Sequence, residues 1–79
     1  MAIQAYALQG GMDFPFASIV DTTTTAGYTY ICEAPPGTPT SDAAWRISRL
    51  NQTTGQTEWA GGSGNFTQIA DNRASLAYS

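Results

Sequence analysis

The sequence contains no lysine and no histidine, and its only basic side chains are Arg46, Arg49 and Arg73. Without histidine the common zinc sites cannot be assembled from this chain alone. A single cysteine, Cys32, excludes an internal disulfide. Against the three arginines stand Asp13, Asp21, Glu33, Asp42, Glu58 and Asp71, for a net charge of −3. Phosphate affinity rests on several neutralising cations, so broad nucleic-acid binding is disfavoured, and an anionic membrane surface is disfavoured for the same reason. The opening MAIQAYALQGG lacks a basic stretch, and its apolar residues do not run long enough for a signal core or a membrane span. A soluble protein made in the cytoplasm is expected.

Catalytic equipment is equally sparse. Nucleophilic catalysis needs a base beside the nucleophile, and here only carboxylates, tyrosines, Cys32 or the N-terminus could serve. The six acids are scattered, with no pair in a recognisable glycosidase pattern. Gly61 and Gly64 in GGSG lack the lysine of a phosphate loop and the strand-loop-helix setting of a dinucleotide site. Asn51-Gln52-Thr53 and Asn65-Phe66-Thr67 match the glycosylation acceptor pattern, which lacks force without a secretory signal. The expectation is a non-enzyme with no cofactor and no metal.

What is present points to packing among neighbours. Seventy-nine residues make one small domain that removes only about 60% of its unfolded surface from water, so its core needs a supplement. With disulfide and zinc set aside, partner chains fill that role. Charged residues are 11% of the chain, against about 25% in an ordinary soluble domain. Aromatics at 11% and a hydrophobic fraction of 42% argue against disorder.

Gly, Pro or Thr clusters interrupt every window in which a helical apolar period could develop, so the chain reads as strands. Residues 1–12 form an apolar, weakly patterned arm ending in Gly10-Gly11. Residues 13–79 read as one β domain. Phe14-Pro15-Phe16 restricts the backbone, and FASIV supplies a first β segment. After DTTTTAG, the run YTYICEA puts Tyr28, Tyr30, Cys32 and Ala34 on one face and Thr29, Ile31 and Glu33 on the other. Cys32 in that pattern is a small buried hydrophobe. The prolines and Gly37 of APPGTPTSD end the strand.

AAWRISRL and TEW flank NQTTGQ, a hairpin connection. A tip at Thr54-Gly55, or at residues 53–56, sets Leu50 opposite Trp59 as a cross-strand apolar pair. Trp45 and Ile47 are odd and Leu50 is even, so uniting them on one face predicts a β-bulge near Ser48 or Arg49. Arg46 points away from Trp45 and Ile47, toward solvent or a neighbouring chain. Glu58 lies across the hairpin as an ion-pair partner, and an arginine over an aromatic ring is the alternative. Farther on, Phe66 and Ile69 suit a short turn, while Ala74, Leu76 and Tyr78 alternate as a last β segment. Asp71 and Arg73 pair with each other or with backbone.

From Tyr28 onward the order YTYICEAPPGTPTSDAAWRISRL, a Thr/Gly turn, TEWA, a Gly/Asn loop with Phe66, and a terminal DNRASLAYS resembles small proteins of tailed bacteriophages and prophages. Ile69-Ala70-Asp71 departs from that pattern, since relatives often carry a tryptophan before the aspartate. The resemblance implies phage origin and a structural role in the virion, with synthesis in the bacterial host cytoplasm, but does not choose a place in the particle. The small β-rich build, the missing catalytic residues and the N-terminal arm make a capsid decoration or cement protein that stabilises the shell the leading expectation. A tail, baseplate or fibre-associated module with a carbohydrate-binding surface on Tyr28, Tyr30, Trp45 or Trp59 is the alternative. The implied partners are other virion proteins, the major capsid protein first, and further copies of the chain, a trimer being one arrangement. Neither nucleic acid nor membrane is a partner.

The resulting expectation is an all-β fold: a small antiparallel sheet, sandwich or barrel-like, with an extended N-terminal arm. Its candidate core is Ile31, Trp45, Ile47, Leu50, Trp59, Phe66 and Leu76. Its candidate subunit contacts are Ile3, Tyr6, Leu8, Phe14 and Phe16 with Arg46, Arg49 and Arg73.

Overall fold

A computed structural model describes residues 16–79. The predicted arm, and with it Ile3, Tyr6, Leu8 and Phe14, lies outside the described residues. The elements are β1 (Ala17–Asp21), β2 (Tyr28–Ala34), β3 (Ala43–Asn51), β4 (Thr57–Trp59), β5 (Gln68–Ile69) and a 3-10 helix over Ala70–Ser75. They build one small antiparallel sheet in the order β1-β2-β3-β4, with β5 pairing the start of β3. The predicted all-β class is therefore what forms.

Alternation in YTYICEA decides which side is buried. Tyr30, Cys32 and Ala34 point to the core side, and the register Cys32↔Ile47 and Tyr30↔Arg49 brings the odd residues of β3 onto the same side. Cys32, Ala34, Trp45 and Ile47 form the buried cluster with Ala60 and Ala70; Ala17, Ile19, Leu76 and Tyr78 pack around it. The C-terminal segment thus covers this core face. Removing a side chain the size of Ile47 from water is worth about 1.5–3 kcal/mol, so in so small a core each large residue matters. The polar tips of the buried Trp45 and Tyr30 and of the half-buried Tyr78 are engaged. Trp45 Nε1 donates to Pro39 O at 3.0 Å, Tyr30 Oη to Thr25 Oγ1 at 2.9 Å and Tyr78 Oη to Arg73 O at 2.7 Å.

The β3–β4 hairpin corrects the predicted register. Ser48 faces Trp59, Arg49 faces Glu58 and Leu50 faces Thr57, so Leu50 does not oppose Trp59. The turn starts earlier than its Thr/Gly centre suggests because Asn51 Oδ1 accepts the Thr53 and Thr54 amides, and Gly55, at φ 78°, donates its amide to Asn51 O. No bulge forms at Ser48 or Arg49, since β3 runs in unbroken register with β2 from Arg46 to Asn51. None is needed: Trp45 and Ile47 serve the core face, whereas Leu50 and Trp59 serve the other. The irregularity in β3 falls instead between Ala43 and Trp45, against β5.

The end of the chain also differs from its alternating pattern. Ala74 lies in the 3-10 helix rather than in a strand, and only Tyr78 makes a bridge, to Ala60. ADNRAS has no β-branched residue, and its short polar side chains bond nearby backbone, as Ser75 Oγ does to Asn72 O. Beyond it, Ser79 exchanges two backbone hydrogen bonds with Trp59, and Gly61 N donates to Ala77 O. The C-terminal residues thereby cover the Trp59 end of the β4 edge of the sheet.

Candidate functional site

The opposite side of the sheet, here the outer face, carries Val20 from β1, Ile31 and Glu33 from β2, Arg46, Ser48 and Leu50 from β3 and Trp59 from β4. At its centre Ser48 is 5% exposed, because Ile31 and Trp59 oppose it from the two neighbouring strands. The loop after β4 folds back on the indole, and a Cβ at Gly64 would stand 3.9 Å from Trp59 Cζ3. Farther along, Phe16 and Phe66 stack with centroids 5.6 Å apart, and the Arg46 guanidinium carbon lies 4.9 Å from each ring. Val20 at 64% exposure and Phe66 at 38% are the exposed large hydrophobic residues among those described.

All three arginines are engaged inside the chain. Arg46 Nε donates to Glu33 Oε1 at 2.7 Å across β2 and β3. Arg49 pairs with Glu58 across the hairpin and lies over the rings of Tyr28 and Tyr78, at 4.4 and 4.6 Å from their centroids. Its buried Nε has no hydrogen-bond partner and faces π-density instead. Arg73 Nε donates to Asp21 Oδ2 at 2.8 Å, and Arg73 Nη1 donates to Ala70 O at 3.0 Å. These pairs neutralise Asp21, Glu33 and Glu58, so the net charge of −3 resides on Asp13, Asp42 and Asp71. No side-chain cation remains unpaired to meet phosphate.

Asp21 is the electrostatic centre of the core side. Its carboxylate accepts the Thr24 hydroxyl, the Arg73 guanidinium and the Thr23 and Thr24 amides, and this set holds it far below the ordinary carboxylate range. Burial pushes the Cys32 thiol up to about 11, leaving it protonated at neutral pH. Burial likewise raises the Tyr78 phenol, with Tyr30 and Cys32 adding to the effect. Among the described residues no group of three or more His, Cys, Asp or Glu could hold a metal ion. None of the helices described is long and apolar enough to cross a membrane.

The candidate residues divide between the two faces. Trp45 and Ile47 are buried, and Leu76 packs partly buried against them. Ile31, Leu50 and Trp59 are half-buried on the outer face, and Phe66 is exposed there; all four fall outside the buried cluster. Of the candidate contacts, Phe16 and Arg46 come together on the outer face, as the predicted direction of Arg46 required. Arg49 pairs with Glu58 as the hairpin suggested, and Arg73 bonds backbone but not Asp71. Its carboxylate is Asp21, an unforeseen partner whose only sequence signal is an Asp heading a threonine turn.

No protein-family model matches the chain, and no curated protein or solved structure matches it either.

Proposed function

We propose that the chain is a structural subunit of a bacteriophage particle, a decoration or cement protein that stabilises the capsid through subunit contacts. The observation that carries this reading is the division of labour on the surface. Every arginine is spent on an internal carboxylate, while Val20 and Phe66 expose apolar surface on the one face that the C-terminal segment does not cover. Such a surface suits another protein better than a polyanion. The phage setting rests on the resemblance of the Trp45 to Leu76 pattern. Particles lacking the protein are expected to lose resistance to heat and low salt, and adding it back restores that resistance. Particles equally robust without it would refute the cement role.

A second reading, a tail or fibre-associated module that binds carbohydrate, is favoured by one feature. Trp59 is half-buried beside Gly64, so one part of its ring system remains available for stacking on a sugar. Tyr30 and Trp45 are buried, and Tyr28 has Arg49 over its ring, which narrows the platform to Trp59. Glycan binding abolished by Trp59→Ala, with the fold retained, would favour this reading over the first.

A further inference from the structure

The two lateral edges of the sheet are treated differently. On the β4 side, residues 77–79 hydrogen-bond to Trp59 and Gly61 and cover the Trp59 end of the edge. On the β1 side, no described strand pairs with the outer edge of Ala17–Asp21. In an antiparallel pair alternate backbone groups bond the neighbour and the remainder point outward, so β1 presents a row of donors and acceptors to whatever lies beside it. Exposed edges are ordinarily blunted by lysine, proline, a bulge or an inward charge. ASIVD contains neither lysine nor proline, and it pairs with β2 in unbroken register. Its one charge, Asp21, is an inward one, but it stands at the last position of the strand and is neutralised by Arg73, so it does not blunt the edge over Ala17–Val20.

From these features we infer that the β1 edge is a docking site for the same edge of a second copy of the chain, joined antiparallel about a two-fold axis at Ile19. This inference rests on the reading of the chain as a self-associating structural subunit. The strand is complementary to itself in that arrangement. Ile19 meets Ile19, Ser18 meets Val20, and Ala17 meets Asp21, each pair on a common face of the joined sheet. Val20, 64% exposed in the single chain, gains a neighbour on the outer face. The two Asp21 residues stand four strand positions apart, about 13 Å at the rise of an extended chain. That exceeds the Debye length of about 8 Å at physiological salt, and each is already neutralised by its own arginine. No like charges oppose each other, so nothing in the strand resists the pairing.

Amide hydrogen exchange on the full-length protein over a range of concentrations tests this directly. Outward-pointing β1 amides are expected to exchange at least about tenfold more slowly in concentrated solution than in dilute solution, while β2 amides change little. Native mass spectrometry should follow the same transition from monomer to dimer. Val20→Lys, at an exposed position that leaves the core intact, should shift the transition to at least about tenfold higher concentration, since like charges near a paired edge oppose association. Protection in the monomer, meaning that the edge is covered within one chain, would overturn the inference. So would rapid exchange at every concentration, or a dimer whose β1 amides stay unprotected, or one indifferent to Val20→Lys. A chain that is monomeric in solution yet abundant on particles would refute edge pairing and leave the structural role standing. A β1-paired dimer absent from particles would do the reverse.

Discussion

Arg73 Nε and Asp21 Oδ2, 52 positions apart in the sequence, meet at 2.8 Å and fasten the C-terminal 3-10 helix to the end of β1. Asp21 is only 8% exposed at its side chain, so this pair acts where water screens poorly. The folded pKa of Asp21 lies below the unfolded value of about 3.9. Its contribution to stability is therefore full above about pH 4 and is lost as the pH falls toward the depressed folded value. Asp21→Asn should lower the melting temperature at pH 7, and the gap between variant and parent should narrow steadily between pH 5 and pH 2. A gap that is constant over that range in thermal melts would show that the ion pair does not fasten the segment.

Tyr78 gives the opposite sign. Its phenol is raised by burial and donates to Arg73 O, so the neutral form is the one the fold favours. The associated stability is complete below the unfolded value of about 10 and declines as the pH rises above it. Tyr78→Phe should cost about 0.5–1.5 kcal/mol at neutral pH, the net worth of one hydrogen bond. The same variant should lose less stability than the parent between pH 10 and pH 12, read by denaturant melts at each pH.

The two faces of β3 should respond unequally to truncation. Ile47 is completely buried, so Ile47→Ala should cost about 2–5 kcal/mol. Leu50 lies half-buried on the outer face opposite Thr57, and Leu50→Ala should cost clearly less in the isolated protein. Equal losses in urea titrations would mean that Leu50 belongs to the core after all, as a bulge uniting it with Trp45 and Ile47 would have required.

Cys32 is fully buried, with its thiol pushed up to about 11. At pH 7.5 a thiol reagent should modify it only as fast as the protein opens, and immediately once urea unfolds the chain. Rapid labelling under native conditions would contradict the packing of β2 against the C-terminal segment.

Period-two alternation in YTYICEA made the buried side of β2 legible, and the Thr/Gly signal located the β3–β4 hairpin. The register escaped because the side chain of Asn51 starts the turn two amides before the Thr54-Gly55 centre. That shift is two residues in register and leaves Trp59 on the face of Leu50; no bulge forms because both residues serve the outer face and neither has to join Trp45 and Ile47. Treating every large apolar residue as core also failed, since a sheet has two sides and this chain stocks both. The direction of Arg46 and the Arg49–Glu58 pair followed from local spacing. Asp21–Arg73 and the Phe16–Phe66–Arg46 cluster join residues far apart in the sequence, and no periodicity announces them.

Where the protein resides, and in how many copies, decides the cement role. Quantitative densitometry with imaging of purified particles measures both at once. A cement subunit predicts hundreds of copies spread over the shell, whereas a few copies confined to the tail, or none at all, would contradict it.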